Sequence, residues 1–415
     1  MTSTREGPTM TSWARSMGLT LTLLLLLTWP PVSQALETLL TFRDPEGNPF
    51  QQLVVDDLTG SVYVGATNRL HRLSPGLSLL QSAATGPRED NPDCPPPLLP
   101  CSEPKTLRNA VTKGLVIDYS DGTLILCTTL YHGSCQKLAL TNITQVARLV
   151  HKPLVPNSAS ASCVLFVGPG PEKAGEGEEG KEGGGKQRPV LYVGAEYSSL
   201  GSKAYRDLVP SVSSRDLANL KLSFRDKDGG TKKSTKEDVR DDFHVRYVHG
   251  FALGGFAYFL TVQRESLKSQ QLVTRIARVC TRDKYFRSYV EIPLHCRKGL
   301  TLYHVLQGAA VDEARRKVYA VFTDVGEDAW EAGKSAAVLC ELSVDQADAE
   351  FNRTVQECYA GQGRVGPPHY ETRRTCMQTV SVLSMLLGLY SLCVSLCLSV
   401  CLSVCQSLSL SLSLF

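Results

Sequence analysis

The sequence predicts an all-β fold built from many short strands, and three observations predict it. Apolar and aromatic residues come in short bursts rich in Val, Ile, Tyr and Phe, separated by Gly, Asp, Asn and Pro. Such bursts read as strands joined by turns. A Tyr-Val-Gly-like burst recurs around Val62, Val164, Leu191 and Val318, which marks a repeated sheet unit. Few stretches keep the 3.6-residue period of a helix. The 415 residues suffice for one large repeat domain or for two or three average ones. Repeated sheets either stack as a sandwich or close radially as a propeller, and spacing alone leaves both open. A net charge of +3 makes no electrostatic case for nucleic acid.

Taken in order, the chain opens with Arg15 ahead of the apolar run Leu19–Leu27, followed by Val32-Ser33-Gln34-Ala35. That is the three-part layout of a secretory signal peptide over residues 1–35. The run is short for a membrane span. The mature chain is therefore expected to start near Leu36 and to enter an oxidising compartment. Ten cysteines between Cys94 and Cys376 suit such a compartment. No C-x-x-C pair and no His cluster accompanies them, so zinc is not expected. Asn142-Ile143-Thr144 and Asn352-Arg353-Thr354 are glycosylation sequons.

Leu53–Val55, the turn Asp56–Gly60, Ser61–Ala66 and Asn68–Leu73 make the first strand series, with Val62 and Val64 on one face. Gly114–Tyr119 and Thr123–Thr128 repeat it around the turn Ser120-Asp121-Gly122. Gly133-Ser134-Cys135 follows, and Cys127 on one strand with Cys135 on the next fits a cross-strand bridge. Cys163–Gly168 and Val190–Gly194 are two more strands. Residues 169–189 between them are mostly Gly, Glu, Lys and Pro, which reads as a flexible loop. Inside it, Gly180-x-x-x-x-Gly185-Lys186 imitates a phosphate-binding loop. Gln187 stands where Ser or Thr is needed and a strand follows instead of a helix, so phosphate binding is not expected.

Lys221–Asp242 is charged and mixed and reads as a solvated loop. Val245–Phe251, Phe256–Gln263 and Tyr285–Ile292 read as strands, the first two joined at Gly254-Gly255. The charged segment Arg264–Arg282 reads as a longer loop. Leu302–Val311, Arg316–Phe322 and Ala337–Leu342 supply further strands, and Val344–Cys358 has helical propensity. His71, His132, His244 and His295 share no spacing with Asp, Ser or Cys that would make a triad or a metal site, and His249 sits in a strand run.

Two separated stretches carry a family resemblance. The first is Tyr258–Gln263, then Arg275-Ile276-Ala277-Arg278-Val279-Cys280, then Ser288-Tyr289-Val290-Glu291-Ile292-Pro293-Leu294 and Cys296. It resembles the sema domain of plexins. The second, Asp56–Leu70 and Thr85-Gly86-Pro87 with Asp90-Asn91-Pro92 and Cys94, resembles the first blade of that domain and its following loop. The hepatocyte-growth-factor-receptor family shares part of the first stretch. Those receptors crowd cysteines after the first blade and carry a basic cleavage site after the Cys296 position, where this chain has Pro95-Pro96-Pro97 and Arg297-Lys298-Gly299. Cys127-Thr128-Thr129 departs from the Cys-Gly-Ser of plexins. Pro210–Arg215 leans to A-type plexins and Asn352-Arg353-Thr354 near Cys358 to B-type.

The resemblance covers about Thr41–Gln378, within a sema domain expected over residues 36–378. It turns the fold expectation toward a seven-bladed β-propeller of the sema type, incomplete, with its last blades missing. A propeller so open leaves edges and apolar faces uncovered, so the isolated product is expected to be poorly folded or retained. The resemblance implies the disulfides Cys94–Cys101, Cys127–Cys135, Cys296–Cys340 and Cys358–Cys376. It pairs Cys280 with a cysteine shortly after the Cys376 position, where this chain has none. It assigns no partner to Cys163. It implies an extracellular module of a semaphorin receptor, acting in axon guidance and cell migration without catalysis and with no cofactor. Its partners would be a semaphorin and a co-receptor such as neuropilin, with membrane attachment only through parts outside this chain. A secreted truncated decoy, or a receptor tyrosine kinase of the hepatocyte-growth-factor type, are the alternatives.

Residues 379–415 are another kind of sequence. No charge follows Arg374, Ser399–Cys405 repeats Ser-Val-Cys-Leu, and Ser407–Leu414 alternates Ser and Leu. Repeated TCTG reads as Ser-Val-Cys-Leu and repeated TC as Ser-Leu, so the tail reads as translated simple DNA repeats, from read-through or a gene-model artefact. The rival is a membrane segment over Val380–Val404. Arg373 and Arg374 would then lie on the outer side, against the usual charge bias.

Overall fold

A computed structural model describes residues 40–96, 100–172, 187–324, 336–361 and 369–370. The signal-peptide segment, the phosphate-loop imitation, Cys376 and the tail lie outside the described residues. Contacts divide the chain into Met1–Phe42 and Arg43–Phe415, and every element below lies in the second unit.

Among the described residues five antiparallel sheets of three or four strands follow one another along the chain, with three two-stranded ribbons beside them. Sheet I holds β1 (Phe50–Val55), β2 (Val62–Ala66), β3 (Arg69–Leu73) and β4 (Leu79–Ala84). Sheet II holds β5 (Thr112–Asp118), β6 (Thr123–Thr128), β7 (Ser134–Ala139) and β8 (Asn142–Pro153). Sheet III holds β9 (Cys163–Gly170), β10 (Arg188–Ala195), β11 (Val212–Asp216) and β12 (Lys232–Lys233). Sheet IV holds β13 (Val245–Leu253), β14 (Phe256–Arg264), β15 (Leu272–Cys280) and β16 (Val290–Leu294). Sheet V holds β17 (Val305–Asp312), β18 (Lys317–Thr323) and β19 (Ala337–Ser343), and the helix α1 (Val344–Tyr359) follows it.

Each sheet runs strand beside strand in chain order, joined by tight turns such as Gly254-Gly255 and by longer connections such as the one between Gly170 and Arg188. At Gly254-Gly255 both residues take positive φ, which a two-residue hairpin turn needs and glycine permits. The first strands of successive sheets touch: β1 meets β5, β5 meets β9, β9 meets β13 and β13 meets β17. The sheets therefore stack around their first strands, which is the arrangement of propeller blades. Core clusters fill the gaps between neighbours. Tyr63, Leu70, Leu115 and Leu124 lie between I and II, and Val116, Ile125, Leu191 and Val193 between II and III. Tyr192, Tyr247 and Phe259 lie between III and IV, and Tyr258, Leu260, Val318 and Phe322 between IV and V. The helix seats Phe351 in the last of these clusters, and its start is capped by Ser343 Oγ, which accepts from the Gln346 N–H.

Several sequence expectations are corrected. The charged segment Arg264–Arg282 is largely strand, since β15 pairs with both β14 and β16. Its cations do not forbid a strand, because acidic partners reach them from β16 and α1. Tyr285–Tyr289 is instead a turn, with Phe286 at φ 52°, and the last strand starts at Val290. Lys221–Asp242 is not simply solvated. It carries β12 and buries Thr231, Lys233, Thr235 and Arg240. The loop expected over 169–189 is shorter at both ends, because Pro169 and Gly170 pair with Pro189 and Arg188.

Candidate binding surface and the clamps that shape it

The cysteines form short ties and one long one. Cys94 is bonded to Cys101, Cys127 to Cys135 and Cys296 to Cys340. The second lies within sheet II, where β6 and β7 place the two residues directly opposite. The third joins a small hairpin, Cys296–Lys298 with Thr301–Tyr303, to β19 of sheet V. Cys280 is buried at the end of β15, and its N–H donates to Ser288 Oγ at 3.0 Å. Cys163 opens β9 without a disulfide, and burial pushes its thiol up to about 11 despite the nearby Lys113. A thiol held so high is a poor nucleophile at neutral pH.

Between the sheets, buried charges are paired or hydrogen-bonded, as their desolvation requires. Lys137 of β7 is fully buried, and its Nζ donates to Asp118 Oδ2 at 2.7 Å and to the Leu217 carbonyl at 3.0 Å. Arg278 of β15 lies between the rings of Phe256 and Phe351, 4.2 and 4.6 Å from their centroids. It donates to Asp348 Oδ1 at 2.8 Å and Asn352 Oδ1 at 2.9 Å. Tyr258 donates to the same Asp348 oxygen at 2.7 Å. These contacts fasten α1 across sheets IV and V.

Sheets III and IV are fastened through Glu196. It accepts from the Ser162 N–H at 2.7 Å and from Ser162 Oγ at 2.8 Å, while Ser162 Oγ accepts from the Tyr247 N–H at 2.8 Å. Burial pushes the Glu196 carboxyl up, but His244 and Ser162 outweigh it and leave it below its ordinary value. His244 Nδ1 stands 3.6 Å from Glu196, and that carboxylate raises the imidazole in spite of partial burial. Deeper in, burial raises Glu291, which accepts from Tyr289 at 2.7 Å and from Gln263 at 2.7 Å. His369 lies against Phe243 and Tyr370, and burial pulls it down to about 3.

The histidines go to separate tasks. His71 faces Asp44 at 3.0 Å in sheet I, His132 lies 2.6 Å from the Cys94 carbonyl, and burial lowers His249 in β13. His295 sits between β16 and the Cys296 hairpin. Among the described residues no group of three His, Cys, Asp or Glu could hold a metal ion. The two sequons also differ. Asn142 Oδ1 accepts from the Thr144 N–H and, at 2.7 Å, from its hydroxyl. Asn352 sits inside α1 with its oxygen held by Arg278, and Thr354 donates instead to the Glu350 carbonyl. Exposed large apolar residues lie on turns, outer strands and ribbons, among them Leu58, Leu79, Leu107, Leu300 and Leu339. Sequence reasoning missed the Glu196 and Arg278 clamps, because their partners lie far away along the chain.

No family model matches the chain. Human plexin-A4 is 30% identical over 373 residues, covering 80% of this chain and 18% of that protein. Human plexin-B1 is 31% identical over 365 residues, covering 80% and 16%. The solved full extracellular region of plexin A4 superposes with a TM-score of 0.66 at 28% identity, over 82% of this chain and 39% of the other. The fold is a β-propeller of the sema type. The chain is a homologue of the plexins. It spans less than a fifth of the length of the curated relatives it matches.

Proposed function

We propose that this chain is the extracellular ligand-binding module of a semaphorin receptor of the plexin kind. The likeness to plexins over 80% of the chain, together with the stacked-sheet architecture, supports the reading. The module binds a semaphorin through exposed loops and sheet edges, without catalysis, in the secretory pathway and at the outer face of the plasma membrane. A neuropilin-type co-receptor is part of the same proposal. Residues 1–35 serve as the signal peptide, residues 36–378 as the sema domain, and Asn142 and Asn352 carry glycans. The Cys358–Cys376 bridge belongs to this proposal as well.

The test is direct. The chain is expressed in mammalian cells, its folded fraction is captured on a sensor surface, and it is exposed to soluble ectodomains from each semaphorin class. Saturable binding by at least one class, lost when the chain's disulfides are reduced, is expected. Folded chain that binds no semaphorin class would falsify the proposal.

A further inference from the structure

Arg215 of β11 is a buried cation without a counter-charge among the described residues. It is 8% exposed, and Ser213, on the same face of the strand, is 1% exposed. Arg215 stands opposite Leu191 and Ser213 opposite Val193. Both of those partners belong to the cluster between sheets II and III, so the guanidinium lies in that gap. Its one hydrogen bond among the described residues runs from Nε to Ser213 Oγ at 3.0 Å. The acids of this neighbourhood are already taken. Asp118 and Asp121 accept from Lys137, and Asp216 accepts from Arg188. Burial pushes the Arg215 guanidinium down to about 10, with no charge opposing it.

Other buried cations show what Arg215 lacks. Lys137 has two carboxylates, and Lys113 has two carbonyls, from Ala159 and Ala161. Arg215 keeps two terminal nitrogens whose N–H groups lie in one plane and donate sideways. Ser213 Oγ accepts from Nε, so its own O–H is still a donor. Lys232 stands opposite Ser213 and is exposed, which puts an ammonium at the solvent rim of the same face. The set contains donors and cations and no carboxylate. Such a set suits an anion, and the parallel N–H groups of a guanidinium match two oxygens of one group.

The geometry points to a binding site for a small inorganic oxyanion, of the phosphate or sulfate class, between sheets II and III. Arg215 is its main ligand, Ser213 a second donor, and Lys232 stands at its mouth. A buried charge without a partner is costly, and an anion at the free guanidinium edge offsets that cost. The little exposure left to Arg215 makes a narrow opening, which suits a free ion rather than a group carried on a polymer. Sheets II and III form both walls, so the site rests on neither end of the stack.

Equilibrium dialysis of the folded full chain against labelled inorganic phosphate tests this, with thermal unfolding as a second readout. Saturable uptake of one phosphate per chain is expected, and the unfolding midpoint should rise with phosphate at constant ionic strength. Inorganic sulfate should displace the label, and chloride at the same concentration should not. Arg215→Met keeps a buried apolar stem and removes the charge. It is expected to abolish uptake and to make the midpoint insensitive to phosphate, with far-ultraviolet circular dichroism confirming the fold. Lys232→Gln changes only the exposed rim and should weaken phosphate binding several-fold. Folded wild type that takes up no phosphate saturably overturns the inference, as does uptake that survives Arg215→Met. Displacement by chloride as readily as by sulfate overturns the oxyanion class. Where Arg215→Met does not fold, Lys232→Gln decides, and an unchanged phosphate affinity in that variant overturns the site.

Discussion

Lys137 and Arg278 are both buried cations held against a carboxylate, and the two sites solve the problem differently. Lys137 takes its carboxylates from its own sheet, at Asp118 and Asp121, 19 and 16 residues earlier. Arg278 takes Asp348 and Asn352 from a helix 70 and 74 residues later. The ammonium is a compact point charge that three oxygens can surround, while the planar guanidinium donates sideways and stacks between two rings. The first pair forms as its sheet forms. The second requires the loop through sheet V to close, which costs chain entropy that grows with loop length. Lys137 thus finds its counter-charges within sheet II, whereas Arg278 finds its own only where α1 lies across the IV–V junction.

The largest effect should come from breaking the local pair. Lys137→Met leaves Asp118, 1% exposed, as an uncompensated buried charge. Loss of one partner of such a pair costs about 3–5 kcal/mol. Guanidinium denaturation of the secreted chain measures it, and adding Asp118→Asn should recover most of the loss. Next in size is Arg278→Met, at about 2 kcal/mol, because Asp348 keeps 19% exposure and water screens what remains. The readout that sharpens the contrast is hydrogen exchange. Arg278→Met should speed exchange across α1 and leave sheet II unchanged, whereas Lys137→Met should loosen sheets II and III. Equal loosening of α1 by both substitutions would show that the junctions are one cooperative unit and break the comparison.

The same contrast explains what was legible in the sequence. The first three strands of sheets I and II could be read, because Val62–Ala66 and Thr123–Thr128 are apolar bursts between local turns, while their outer strands Leu79–Ala84 and Asn142–Pro153 were not. The helix after Ser343 was legible from propensity. The third strands of sheets III and IV were not. Val212–Asp216 is rich in Ser and charge, and Leu272–Cys280 carries Arg275 and Arg278. Both are buried strands whose polar groups find partners in distant elements, and a local window cannot see those partners. The Glu196 clamp was hidden for the same reason: Ser162 lies 34 residues before it, and Tyr247 lies 85 residues after Ser162. Of the candidate surface, the sequence could show only the cysteine spacing and the sequons.

The smallest expected effect lies at the III–IV junction, which falls between the two extremes. His244 is raised by the Glu196 carboxylate, against burial and the repulsion of Arg264. A raised imidazole adds stability that is fully present below its ordinary value of 6.5 and is lost as pH rises through the raised value. Glu196 works in the opposite direction: its lowered carboxyl adds stability above its ordinary value of 4.5, lost as pH falls through the lowered one. The junction should therefore be firmest between those two limits. His244 is half exposed, so the imidazole's share is a few tenths of a kcal/mol. Urea denaturation on the acid and alkaline sides of the imidazole value, for wild type and His244→Gln, should show a difference on the acid side that closes on the alkaline side. A difference that persists unchanged would mean that His244 holds the junction by packing, and that only the fully buried cations fasten the stack through charge.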